Sequence, residues 1–346
     1  MCLHHFTGKM ELIPDLMVIT PQSKTLPYKK MNGIHVSIEN GRRKLILDDI
    51  TLFTYYWDPK TLPNPTVVYV GAAPGNHITL ISHMFPQIAS FILYDPSPFQ
   101  IRESKKVKIL NQFFTDKDCE QYKDRKDIIF ISDIRGAKTP DMSIEQFEKE
   151  MLIPNMRAQE NWYKLINPSL CCLKFRLPYY SEGKERKFSY LPGVILKQAW
   201  TNPESTETRL IPQDNKNIDY DTLFYEQACF YHNKVLRGEE QIFRNPLKGK
   251  KPLDPIDGKE LLNDFDSVFE AIILRDYLIK YQGDYKTDQV VALTRVLTEE
   301  SNKKKKVKRS MAELRALTYK ETSAPEQSAS KNVEIDLPVE LNACKR

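Results

Sequence analysis

The 346-residue chain carries 51 Lys and Arg against 46 Asp and Glu, a formal charge of +5, with 41% hydrophobic residues. That much apolar material can fill a substantial core, and the mild basicity is compatible with an RNA partner without singling one out. Cys2, Cys119, Cys171, Cys172, Cys229 and Cys344 form no Cys-x-x-Cys pair and the histidines show no metal spacing, which argues for a reducing compartment and against zinc or other metal chemistry. No apolar run approaches membrane-spanning length and no basic-then-apolar leader opens the chain, so we expect a soluble, intracellular protein without membrane contact.

Residues 1–43 read as an irregular segment broken by Pro14, Pro21 and Pro27, followed by an amphipathic helix that begins near Gly41 and carries Lys44. The most informative stretch comes next. Residues 66–70 are an apolar strand that runs into the small-residue turn Gly71-Ala72-Ala73-Pro74-Gly75. Glycines there admit positive φ and let a ligand lie against main chain. The turn lacks a G-x-G-x-x-G pattern and a Walker lysine, so a phosphate cradle is not expected; it resembles the loop that opens many S-adenosylmethionine-dependent methyltransferases. A helix over residues 77–85 and a strand over 91–94 follow. That strand ends in Asp95, about 20 positions past the glycines, where a carboxylate can accept both hydroxyls of a ribose.

A third apolar strand, residues 127–132, ends at Asp133. An amphipathic pattern over 144–166, interrupted at Pro154, precedes a strand over 170–173 that delivers Lys174. Parallel strands of an open α/β sheet bind ligands at their carboxyl ends, so Asp95, Asp133 and Lys174 converge on one edge. A lysine at the end of an apolar strand is placed for a lowered pKa and hence for work as a base. Residues 180–205 read as a substrate loop, residues 206–211 bring Glu207 and Arg209, and helices are expected from Tyr220 onward, over 261–281 and over 290–297. From residue 301 the composition changes: Lys303 to Arg309 is a basic run, and residues 318–346 read as a disordered tail. The run is an RNA arm, a nuclear import signal or a solvated tail.

Lys44, Asp133, Lys174 and Glu207, with the glycine loop between the first two, resemble the K-D-K-E tetrad of RNA ribose 2′-O-methyltransferases. Leu26-Pro27-Tyr28, residues 66–75, Ile131-Ser132-Asp133-Ile134-Arg135, Leu173-Lys174-Phe175-Arg176, Glu207-Thr208-Arg209-Leu210, Tyr225-Glu226 and residues 233–237 extend the resemblance to the poxvirus-type cap-specific mRNA 2′-O-methyltransferases, which are also small subunits of a poly(A) polymerase. The resemblance implies an α/β fold, a Rossmann-like methyltransferase sheet flanked by helices, with residues 44–300 as the catalytic domain and its helical C-terminal additions. It makes Lys174 the general base and Lys44, Asp133 and Glu207 its partners. It lines the S-adenosyl-L-methionine site with Tyr69, Gly71, Gly75, Asp95 and Asp133. It assigns Tyr179 and Glu226 to the binding of a 7-methylguanine cap, with Ser181 at the family's other acidic position and Glu182 one step further. The tyrosine of the opposite stacking face has no assigned position here, and Arg42 and Ser97 replace a Gln and an Arg of the family.

These residues imply methyl transfer to the first transcribed nucleotide of capped mRNA, with a poly(A) polymerase catalytic subunit as a second partner. The competing readings are a non-catalytic processivity subunit and a 2′-O-methyltransferase of ribosomal or transfer RNA. A viral protein of this kind is expected in the cytoplasm or the virion, and the basic run leaves a nuclear address open.

Overall fold

The computed structural model describes residues 17–29, 38–134, 136, 141–181, 183, 185–238 and 264–302. Glu182, the basic run from Lys303 and the expected tail lie outside them. Among the described residues eight strands form one sheet in the order β1-β8-β9-β6-β5-β2-β3-β4. Its parallel half is β6 (Leu170–Phe175), β5 (Ile128–Ser132), β2 (Thr66–Val70), β3 (Ser90–Tyr94) and β4 (Val107–Leu110). The antiparallel half is β9 (Thr208–Pro212), β8 (Gly193–Leu196) and β1 (Val18–Ile19). β7 (Lys187–Tyr190) and β10 (Ile218–Asp221) make a separate antiparallel ribbon.

β2 and β5 are buried at every position, as expected for central parallel strands covered on both faces. Their alternate side chains feed two cores. Val67 and Tyr69 face one with Cys172, and Val68 and Val70 face the other with Cys171. The adjacent cysteines therefore do point to opposite faces, and all of Cys119, Cys171, Cys172 and Cys229 are free thiols.

The first core is covered by α1 (Ile38–Thr51), which continues as a π-type turn through Leu52–Tyr56, by α2 (Asn76–Met84), and by the C-terminal α7 (Phe265–Gln282) and α8 (Thr287–Ser301). The second is covered by α3 (Asp116–Cys119), α5 (Ile153–Ile166) and α6 (Thr222–Tyr231). A short α4 (Ile144–Phe147) and a π-type turn, Glu148–Leu152, lead into α5. Residues 144–166 are thus helical throughout, and the regular pattern is broken where expected: the π-type turn ends just before Pro154, which sits in the first turn of α5.

The helix carrying Lys44 begins at Ile38, earlier than the expected start near Gly41, and Val18–Ile19 of the N-terminal segment form β1. Residues 180–205 are not one loop. They contain β7 and β8, and Gly193 is required where they meet β9, since a Cβ there would stand 2.2 Å from the Ile211 carbonyl oxygen.

α7 and α8 are tied to α1 by polar contacts as well as packing. Arg43 donates to both carboxylate oxygens of Glu270 at 2.6 and 2.7 Å, Tyr55 donates to Asp276 at 2.7 Å, and Arg42 donates to the Ser301 carbonyl at 3.2 Å. Lys280 donates to the carbonyls of Thr54, at 2.7 Å, and of Trp57, closing the end of the π-type turn. Among the described residues no helix is long and apolar enough to cross a membrane.

Candidate active site

The sheet's topology brings the tetrad together. β9 returns antiparallel to β6 with Arg209 opposite Lys174, so Glu207, just before β9, sits at the edge where β6 ends. β5, parallel to β6 on its other side, delivers Asp133 to that same edge. Lys44 arrives from α1 and is only 6% exposed.

Lys174 Nζ lies 2.8 Å from Asp133 Oδ1 and 3.9 Å from Glu207 Oε2, and donates at 3.3 Å to the Asp133 carbonyl. Lys44 donates to the other oxygen of Glu207. Two ammonium groups and two carboxylates therefore form one chain, Lys44–Glu207–Lys174–Asp133. Arg209 extends it. Its Nη1 is 2.7 Å from Asp133 Oδ1 and its Nε donates at 3.0 Å to Asp48, which also accepts from Gln198 at 2.5 Å. Burial pushes the Asp133 carboxyl up, but Arg209 and then Lys174 outweigh it and hold the group well below the usual carboxylate range. Burial raises Asp48 despite the opposing Arg209.

These charges open on a cleft of about 450 Å³ lined by Lys44, Lys174, Arg176 and Glu207, with Gln159, Asn155, Trp200 and Asn202 among its walls. Lysine, carboxylate and amide groups around such a volume suit a polar, charged acceptor.

On the other side of Asp133 lies the glycine loop. Gly71 has φ +79° and a Cβ there would stand 2.8 Å from the Asp133 carbonyl carbon and oxygen and from the Ile134 nitrogen. Gly75, at φ +77°, precedes the first residue of α2. The half-buried Asp95 accepts from the Ala73 N–H at 3.0 Å and from the Ser97 N–H at 2.8 Å, so its carboxylate is fixed against the loop while each oxygen keeps a second acceptor position. Those free acceptor positions fit the two hydroxyls of a ribose diol. Tyr69 is buried beneath the loop, edge-on to His77 with ring centroids 5.7 Å apart. Burial lowers His77 to about 4 and raises Asp49, whose Oδ2 is 3.5 Å from His77 Nε2, well above its ordinary value.

Tyr179 and Glu226 meet at a third place. Glu226 accepts the Tyr180 N–H at 3.2 Å and the buried Glu148 accepts the Tyr179 N–H at 2.8 Å, so two carboxylates from different elements hold this stretch of main chain. Burial raises the Glu226 carboxyl, with the Tyr180 N–H opposing it. The Arg176 guanidinium stands 4.7 Å from the centre of the Tyr179 ring. Tyr28 completes the group, its ring 6.1 Å from that of Tyr179 and edge-on to Phe230 at 5.2 Å. A backbone bond from Leu26 N–H to the Gln227 carbonyl, 3.1 Å, pins this N-terminal stretch to α6. The sequence offered Tyr28 only as part of Leu26-Pro27-Tyr28 with no role, and it offered no signal for Glu148, Asp48 or Trp200.

The chain is 28% identical over 215 residues to the cap-specific mRNA (nucleoside-2′-O-)-methyltransferase of fowlpox virus, covering 57% of this chain and 68% of that protein. It is 26% identical over 251 residues to the protein of the same name from myxoma virus (strain Lausanne), covering 66% and 67%. Residues 14–247, more than half the sequence, match the family described as poly A polymerase regulatory subunit. The chain belongs to the poly(A) polymerase regulatory subunit family.

Proposed function

We propose that this protein is an S-adenosylmethionine-dependent methyltransferase acting on the ribose 2′-hydroxyl of the first transcribed nucleotide of capped mRNA, converting cap 0 to cap 1. The observation that carries the reading is Lys174, held 2.8 Å from Asp133 and 3.9 Å from Glu207 at the mouth of a cleft that Lys44 shares. The names of the viral relatives support the same activity.

Gly71, Gly75, Tyr69, Asp95 and Asp133 would hold the cofactor, which supplies a methyl group on a cationic sulfur. In the acceptor cleft Lys174 Nζ takes the proton of the 2′-hydroxyl as that oxygen bonds to the methyl carbon and the carbon–sulfur bond breaks. Asp133 and Glu207 orient Nζ, as the amine before transfer and as the ammonium after it, and Lys44 balances the charge of Glu207. Arg209 shares the charge of Asp133, so that Asp133 positions Lys174 without gripping its proton as strongly as an unshared carboxylate would.

Cap recognition is assigned to Tyr28, Tyr179 and Glu226. A 7-methylguanine base is cationic, so stacking on tyrosine gains cation–π attraction, and a carboxylate accepts its ring N–H groups. Arg176 touches Tyr179 and lines the cleft, which suits the triphosphate running from the base to the reacting ribose.

The test is to incubate purified protein with cap 0 RNA and labelled S-adenosylmethionine and map the label. We expect a single 2′-O-methyl group on the first transcribed nucleotide. Label at internal nucleotides, or equal labelling of uncapped RNA, overturns the cap assignment in favour of a general RNA methyltransferase. The family description supports a second role, as the RNA-binding processivity subunit of a poly(A) polymerase catalytic subunit. Longer tails from that polymerase when this protein is added would support it.

A further inference from the structure

Trp200 occupies a conformation that few tryptophans adopt. Its φ is +58°, a left-handed backbone that a bulky residue takes up only when its surroundings impose it. What imposes it is visible. The indole N–H donates at 2.9 Å to Glu270 of α7, and the Arg43 guanidinium lies 4.5 Å from the centre of the ring. Glu270 in turn pairs with Arg43 through both oxygens. Arg43, Glu270 and Trp200 are thus a closed triad in which each member fixes the other two. Trp200 is also one of the residues that line the cleft containing Lys174.

We infer that Trp200 is a stacking platform for a nucleobase of the acceptor strand next to the reacting ribose, distinct from the aromatic pair at Tyr28 and Tyr179. The inference rests on the reading of that cleft as an RNA site. A strand entering it meets a cation for its phosphates at Arg176, hydrogen-bonding side chains at Asn155 and Asn202, and the aromatic residues Phe147 and Trp200, of which Trp200 is the one held by the Arg43–Glu270 triad. Every base has a π-face, so stacking there binds any sequence, and a ring already fixed by a hydrogen bond and a cation gives up little freedom on binding. Sequence-tolerant contact is what an enzyme acting on many transcripts needs at this position.

The chain has three tryptophans. Trp57 and Trp162 are buried, so fluorescence quenched by a short RNA reports on Trp200. A short uncapped RNA should quench the emission and 7-methyl-GTP alone should not, and in Trp200→Phe the RNA-dependent quenching should vanish. Trp200→Ala should raise KM for capped RNA about 5- to 100-fold, with KM for S-adenosylmethionine and affinity for 7-methyl-GTP unchanged. Trp200→Phe, which keeps a ring, should stay within about threefold of wild type. Unchanged cofactor affinity in both variants shows that they are folded. Wild-type RNA methylation combined with an unchanged KM in Trp200→Ala, or with RNA-dependent quenching that persists in Trp200→Phe, overturns the platform alone. Failure of the wild-type protein to bind or methylate RNA overturns the reading of the cleft itself.

Discussion

The rings of Tyr28 and Tyr179 stand 6.1 Å apart with 39° between their planes. A flat base between two parallel rings needs about 7 Å, twice the ~3.5 Å contact distance of carbon atoms. Seating a base there requires the rings to separate and turn toward parallel, and Tyr28, 38% exposed, is the less buried of the two. Tyr28→Ala and Tyr179→Ala should each weaken 7-methyl-GTP binding by about 1–2 kcal/mol while changing GTP binding less, as calorimetry can measure. Equal losses for both nucleotides would remove these rings from methyl-cap discrimination.

Glu226 gives that binding a pH dependence. Burial raises its carboxyl above the ordinary glutamate value of 4.5, so it takes up a proton at a higher pH than a surface glutamate does. The carboxylate is the form that accepts hydrogen bonds from the base. Affinity for 7-methyl-GTP should therefore be complete above this raised value and fall as pH drops through it. Glu226→Gln should bind more weakly at neutral pH and lose this acid dependence.

Lys174→Ala should abolish methyl transfer and leave S-adenosylmethionine affinity within about twofold, because the lysine acts on the acceptor and not on the donor. Near-normal turnover in Lys174→Ala would exclude it as the base.

Asp95→Ala removes the acceptor of the Ala73 and Ser97 N–H groups together with the proposed ribose contact. Cofactor affinity should fall by about 1–3 kcal/mol with no change in 7-methyl-GTP binding. Unchanged calorimetric affinity would put Asp95 outside the pocket.

Lys280 links stability to pH at a place remote from the chemistry. Burial lowers its pKa from 10.5 to about 8, so between those values the unfolded chain holds more proton than the folded one. Unfolding free energy contributed by this group therefore rises with pH across that window. Lys280→Met should remove that rise. It should also destabilise the protein by about 1–3 kcal/mol, since the Thr54 and Trp57 carbonyls lose their donor. Denaturant titrations of both proteins from pH 7 to about 9.5 give the comparison, and parallel curves would refute it.

The parts of this fold written in long apolar runs were legible in the sequence. The strands ending at Gly71, Asp95 and Asp133 and the strand carrying Lys174 are where their hydrophobic runs put them, because a parallel strand buried on both faces has no polar positions to disguise it. β7 and β10 escaped notice. They are short and half-solvated, with exposed residues at alternate positions of β7, and such patterns look like loop. The tetrad's order was visible, but Arg209 bridging Asp133 to Asp48 was not, since a contact between residues 161 positions apart depends on the register of β9 against β6. Nor was the contact of Glu270 with Arg43 and Trp200, which lie 227 and 70 positions away in the chain.

The glycine at position 71 leaves no room for a methyl group between itself and the main chain of Asp133 and Ile134. The glycine loop and the sheet edge that carries Asp133 are consequently in register by direct backbone contact, with Asp133 N–H bonded at 2.8 Å to the residue before that glycine. In-line transfer demands that the reacting atoms come within about 3–3.5 Å along one axis. For the proposed methyl transfer that tolerance rests on packed and hydrogen-bonded main chain, so the donor's seat would be fixed and the nucleic acid would have to do the travelling.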